Sequence, residues 1–181
     1  MPKLHTPLAL VLAAVTALPF SLRAQQGPAG IRGEILGQFN EAADKLVQLA
    51  EAIPQDKFTW RPGAGVRSVS EVLLHVAGSN EYFLTAAGVQ ATVQGENDLE
   101  HSTTDKAQVI ARLKQANDRV RAAVLAMPDA DLDKATQIFG QQTTYRGVLL
   151  MLQTHDHEHL GQMIAYVRMN GIVPPWSRGG Q

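Results

Sequence analysis

The stretch Thr154-His155-Asp156-His157-Glu158-His159-Leu160-Gly161-Gln162 sets His155 and His159 four residues apart. On a helix that spacing puts both imidazoles on one face, about 5–6 Å apart at Cβ. Val148, Leu152, Met163 and Tyr166 extend the same face at steps of three and four. The two histidines therefore point where core side chains point. A neutral imidazole turned inward needs hydrogen-bond partners or a metal. A fold for this chain must bury this helix along that stripe and bring the missing partners from elsewhere.

Three other segments carry the same periodicity. Ile31, Ile35, Phe39, Leu46, Leu49 and Ile53 mark a first helix that Pro54 ends. Ser68 and Glu71 have capping-box spacing ahead of Val72, Leu73, Val76, Ala77, Tyr82, Phe83 and Leu84, which predicts a second helix closed by Gly88. Val109, Leu113, Ala116, Val120, Val124 and Met127 predict a third, capped by Thr104 or Asp105 and stopped by Pro128. The fourth starts at Thr143 or Thr144, carries the histidine pair and stops at Asn170-Gly171, with Pro174-Pro175 beyond. No segment signals a strand. The expected fold is all-α, a four-helix bundle. Phe58 and Trp60 are expected to pack on a bundle end, residues 138–140 to cover one, and Trp176 to anchor the tail.

The chain has no cysteine, which excludes disulfides, thiolate ligands and a cysteine nucleophile. Its formal charge of −1 and lack of a basic patch argue against a nucleic-acid partner. Lys3 precedes an apolar run over residues 8–20, broken only by Thr16, and Ser21-Leu22-Arg23-Ala24 offers a cleavage site after Ala24. Residues 1–24 thus read as a cleavable signal peptide, leaving 25–181 as one bundle domain in the periplasm or outside the cell. The run is too short for a stable membrane span; a retained anchor helix is the alternative. Loss of Lys3 and Arg23 takes the formal charge from −1 to −3.

His75 also interrupts an apolar helix face, between Val72 and Val76. One imidazole from the second helix and two from the fourth would make a three-histidine metal site with a position open to water or substrate. Such a donor set suits zinc, nickel, copper and iron(II). Each histidine alone also fits a hydrogen-bonded core residue. His157 faces away from the pair, His5 lies in the leader and His101 in a connecting loop. Asp156 and Glu158 read as a solvated helix face, with one of them available to orient a ligand or take a proton. Gln162 sits one turn beyond His159, within reach of an open metal position. The zincin His-Glu-x-x-His pattern, the serine-hydrolase elbow and the phosphate loop are all absent.

Residues 66–77 (VRSVSEVLLHVA), with Phe58-Thr59-Trp60-Arg61-Pro62 upstream, resemble the first half of the DinB-like superfamily. His155-x-x-x-His159-x-Gly161-Gln162 and residues 164–175 resemble its closing helix, and the likeness spans about residues 30 to 177. The resemblance implies a four-helix bundle whose three histidines bind a divalent metal, zinc or nickel foremost. It carries the ligand role to His75, His155 and His159. It also implies a homodimer, and activities such as thiol-dependent S-transfer with bacillithiol or mycothiol, or maleylpyruvate isomerisation. Export sets this sequence apart, because those thiols belong to the cytoplasm. The expected function is that of a metal-dependent hydrolase or thiol transferase acting on a small molecule. A non-catalytic metal- or ligand-binding bundle, or a purely structural one, is the alternative.

Overall fold

Four helices form where the apolar periodicity places them: α1 (Ile31–Ala52), α2 (Val69–Ala86), α3 (Lys106–Ala126) and α4 (Tyr145–Met169). The computed structural model describes residues 30–90 and 99–179. The signal peptide read at residues 1–24 lies outside the described residues. Among them, no helix is long and apolar enough to cross a membrane.

The helix starts follow local chemistry. The Ser68 hydroxyl accepts from the Glu71 amide, and the Glu71 carboxylate accepts from the Ser68 amide at 2.6 Å, closing the capping box. Asp105 accepts from the Gln108 amide at 2.9 Å, and Thr144 from that of Gly147 at 3.2 Å. Beyond the end of α2, Gly88 takes φ of +80°, and a Cβ there would collide with the Tyr145 hydroxyl. Glycine thus lets the end of α2 meet the start of α4.

α1 packs mainly on α4 and α3, and α2 on α3 and α4. α1 and α2 therefore lie on one diagonal of the bundle, and α3 and α4 on the other. The buried stripes are those expected, except that Ile31 and Tyr82 stand at the surface. Phe58 is fully buried, Trp60 meets the Tyr166 ring edge-on at 5.3 Å, and Trp176 lies under the Lys45 ammonium.

The expectation of no strands is overturned. β1 (Ala135–Ile138) and β2 (Gln141–Thr144) form an antiparallel hairpin between α3 and α4. Its turn, Phe139-Gly140, has φ of +51° and +75°, the signature of a type I′ turn. Ile138 is the hairpin's one fully buried side chain, and Thr and Gln fill most of the rest. The period-two apolar signal is therefore missing, and phenylalanine stands where Asn or Gly would have announced the turn.

The core divides into two apolar clusters. One gathers around Leu46, Leu49, Phe58, Leu73, Leu113 and Met163, the other around Phe39, Phe83, Val120, Leu149 and Leu152. Between them runs a buried polar layer of Asn80 on α2, Asn117 on α3 and Asp156 on α4, with Asn80 Nδ2 donating to Asn117 Oδ1 at 3.3 Å. The three histidines lie at this same level.

Candidate metal centre

α2 contributes His75 and α4 contributes His155 and His159, and their ring nitrogens gather at one point. His155 Nε2 lies 3.2 Å from His75 Nε2 and 3.1 Å from His159 Nε2, and the three nitrogens fall within 4.8 Å of one another. The structure thus brings together all three of the histidines singled out in the sequence. Bonds of about 2.0–2.1 Å at tetrahedral angles would hold ligand nitrogens about 3.4 Å apart. The observed spacing fits one divalent ion with little rearrangement.

The surrounding hydrogen bonds fix the tautomers. Gln162 Oε1 lies 2.7 Å from His159 Nδ1, and an amide oxygen only accepts, so the proton is on Nδ1 and Nε2 is bare. Gln162 Nε2 donates to the Tyr166 hydroxyl at 3.0 Å, and that hydroxyl donates to the Arg67 carbonyl at 3.0 Å. Gln162 therefore orients His159 instead of reaching toward an open metal position. On His75, the Glu100 carboxylate lies 3.3 Å from Nδ1 without completing a hydrogen bond, and its charge favours the proton on that side and a bare Nε2. Two lone pairs converge on His155 Nε2, which has at most one proton to give. Hydrogen bonding among the rings cannot satisfy all three nitrogens, whereas a cation can.

Burial, then the Arg67 charge and the two neighbouring histidines, push the His75 imidazolium pKa down to about 4, against a small pull from Glu100. Burial likewise pushes His159 down, with Gln162 opposing. Both rings are neutral near pH 7, the form that binds a metal.

Asp156 is a correction to the solvated helix face read in the sequence: it is 0% exposed, while Glu158 is exposed. Its carboxylate lies 4.0 Å from His155 Nδ1, and neither group completes a hydrogen bond among the described residues. Burial raises the Asp156 pKa, partly offset by His155 and Asn80 nearby. The signal was present: Asp156 falls about 100° from His155 around the helix, inside the arc spanned by Leu152 and Leu160. His157 is half-buried and bonds back to the Gln153 carbonyl at 2.8 Å, so it is less solvent-facing than expected.

A cavity of about 400 Å³ opens onto His75 and His155 of the triad, lined in part by Arg67, Ser79, Tyr82, Glu100, His101 and Phe139. Glu100 joins His75 to Arg67, accepting from Arg67 Nε at 2.8 Å. His101 faces Glu71 at 3.4 Å. Periodicity could not find Glu100 or Phe139, because neither lies in an amphipathic helix.

A family model, the DinB superfamily, matches residues 38–163. The chain belongs to the DinB superfamily. Its relatives include YjoA of Bacillus subtilis, an uncharacterised protein 26% identical over 141 residues, covering 76% of this chain and 90% of YjoA. A DinB-like protein of Bacillus cereus superposes with a TM-score of 0.70 at 18% identity, covering 80% of this chain and 95% of that one. YfiT of Bacillus subtilis, described as a probable metal-dependent hydrolase with an unusual four-helix bundle topology, superposes with a TM-score of 0.63 at 17% identity, covering 78% and 89%. The DinB fold thus accounts for nearly all of the described chain.

Proposed function

We propose that this DinB-superfamily chain holds one divalent metal ion on His75, His155 and His159 and uses it for hydrolysis or thiol transfer on a small molecule. The observation that carries the proposal is the convergence of three Nε2 atoms beside a cavity that His75 and His155 line, with His159 Nε2 left bare by its bond to Gln162 and a bare His75 Nε2 favoured by Glu100. The description of YfiT as a probable metal-dependent hydrolase supports the same chemistry. When bound, the ion supplies Lewis acidity and lowers the pKa of a water or thiol. The chain's own residues do the rest. Gln162 holds His159 in the ligand tautomer, the Glu100 charge favours it in His75, Asp156 places a carboxylate behind His155, and the cavity walls orient the substrate. The leader-like residues 1–24 favour an exported location.

Elemental analysis of tag-free protein, beside a His75→Ala/His159→Ala double variant, tests the site. About one equivalent of metal in the wild type and none in the variant is the expected result. No metal in either after metal-replete growth would overturn the proposal. With metal confirmed, turnover that is lost with chelation and restored by zinc or nickel would establish an enzyme. A filled site without turnover across ester, amide and thiol-acceptor panels would leave a binding protein.

A further inference from the structure

Phe139 stands where folding alone does not favour it. It is 68% exposed, at the tip of the hairpin, with φ of +51°. A bulky residue in the left-handed region is strained, and strain of this kind gathers at binding sites. Here the ring lies against other rings. Phe139 meets Tyr82 at 5.5 Å and Phe83 at 6.2 Å, and Phe83 in turn meets the His155 imidazole edge-on at 5.4 Å. A chain of ring contacts therefore leads from the exposed Phe139 to His155 of the triad, along one wall of the cavity. The other lining residues include Arg67, Glu100 and His101, which are charged or polar.

We infer that Phe139 and Tyr82 form a specificity wall for substrates with a flat, aromatic or conjugated body, whose reacting polar group reaches the histidine triad. Aromatic rings pair edge-to-face or offset, at the centroid distances already seen among Phe139, Tyr82 and Phe83. A ligand ring entering there replaces water on Phe139 and extends the same contacts. A saturated or highly polar body would leave the exposed ring wet. Phe139 acts on binding and orientation; it carries no proton or bond of the reaction. The inference rests on the proposed metal site, which would anchor the polar end.

Two hydroxamates serve as probes, because both chelate zinc and only one carries a ring. Calorimetric titration of the full zinc-loaded protein with benzohydroxamate and acetohydroxamate should show the aromatic probe binding about five- to tenfold more tightly. Phe139→Asn keeps a residue that tolerates the backbone angle and removes the ring, and should cut that ratio to about twofold or less. Phe139→Tyr should retain it. An unchanged ratio in Phe139→Asn would overturn the wall and leave the metal site intact. A change of oligomeric state in Phe139→Asn with the ratio unaltered would also overturn it, assigning the exposed ring to a contact between copies. Failure of both probes, with no metal by elemental analysis, would overturn the metal site and the wall together.

Discussion

Gln162 Oε1 accepts from His159 Nδ1 at 2.7 Å, and through this bond one amide sets which nitrogen of His159 faces the triad. Its other end is fixed through Tyr166 to the Arg67 backbone, so the amide cannot flip without losing a second bond. Gln162→Leu frees the ring and its tautomer. We expect zinc affinity to fall about 10- to 100-fold, the usual effect of losing an outer-shell partner. Competition with a chromogenic chelator measures it, and unchanged affinity would show that Gln162 does not orient the ligand.

Removing the metal should leave a folded but less stable bundle. The apolar clusters do not depend on the ion, whereas binding to the native state stabilises by mass action. At free zinc about 100-fold above Kd, the gain is about 2.7 kcal/mol. Thermal scans with and without chelator should differ by several degrees. A His155→Ala variant should show no difference.

The metal-free protein should lose stability in mild acid. The His75 pKa is lowered in the fold from its ordinary 6.5 to about 4, and His159 is lowered as well. Between those values the unfolded chain binds more protons than the native one, so stability falls as pH drops from about 6.5 and levels off below about 4. Urea midpoints across that range should show the slope, and His75→Gln should flatten it. A wild-type midpoint independent of pH would refute the assignment.

Asp156 works in the opposite sense. Its raised pKa means that the folded state holds the proton longer than the unfolded chain, so its contribution to stability declines as pH rises above the ordinary 3.8. Asp156→Asn removes that penalty. The metal-free variant should gain on wild type steadily with pH, while its zinc affinity drops about tenfold through loss of the carboxylate behind His155. A variant weaker than wild type at pH 8 without metal would contradict the burial argument.

Much of this was legible in the sequence, and the exceptions share a cause. The four helices follow from repeats of three and four residues, their caps at Ser68, Asp105 and Thr144 from side chains that accept backbone N–H bonds, and the grouping of the three histidines from their places on apolar faces together with the family resemblance. Asp156 was misplaced because carboxylates are rarely buried, although its helical angle put it inside the core arc. The hairpin escaped because its side chains are mostly polar, and Glu100 because it reaches the site from a connection. Periodicity reports burial, and these residues do their work at the edge of it.

Gly88 tests the junction between α2 and α4. Alanine there meets both the left-handed backbone and the Tyr145 hydroxyl, and should cost about 2 kcal/mol or more. Gly88→Ala/Tyr145→Ala should regain the part due to collision and keep the part due to φ. Denaturant melts of the two variants separate these, and equal stabilities would show that the ring yields without cost.

That junction has a counterpart on the other side of the triad, where the Tyr166 hydroxyl ties α4 to the Arg67 carbonyl just ahead of α2. The two histidine-bearing helices are thus fastened together above and below the triad, like a beam resting on two supports. The cavity walls at Phe139 and Tyr82 belong to neither fastening. Sequence drift or deliberate redesign at those walls can reshape the cavity while the span that carries the imidazoles stays level.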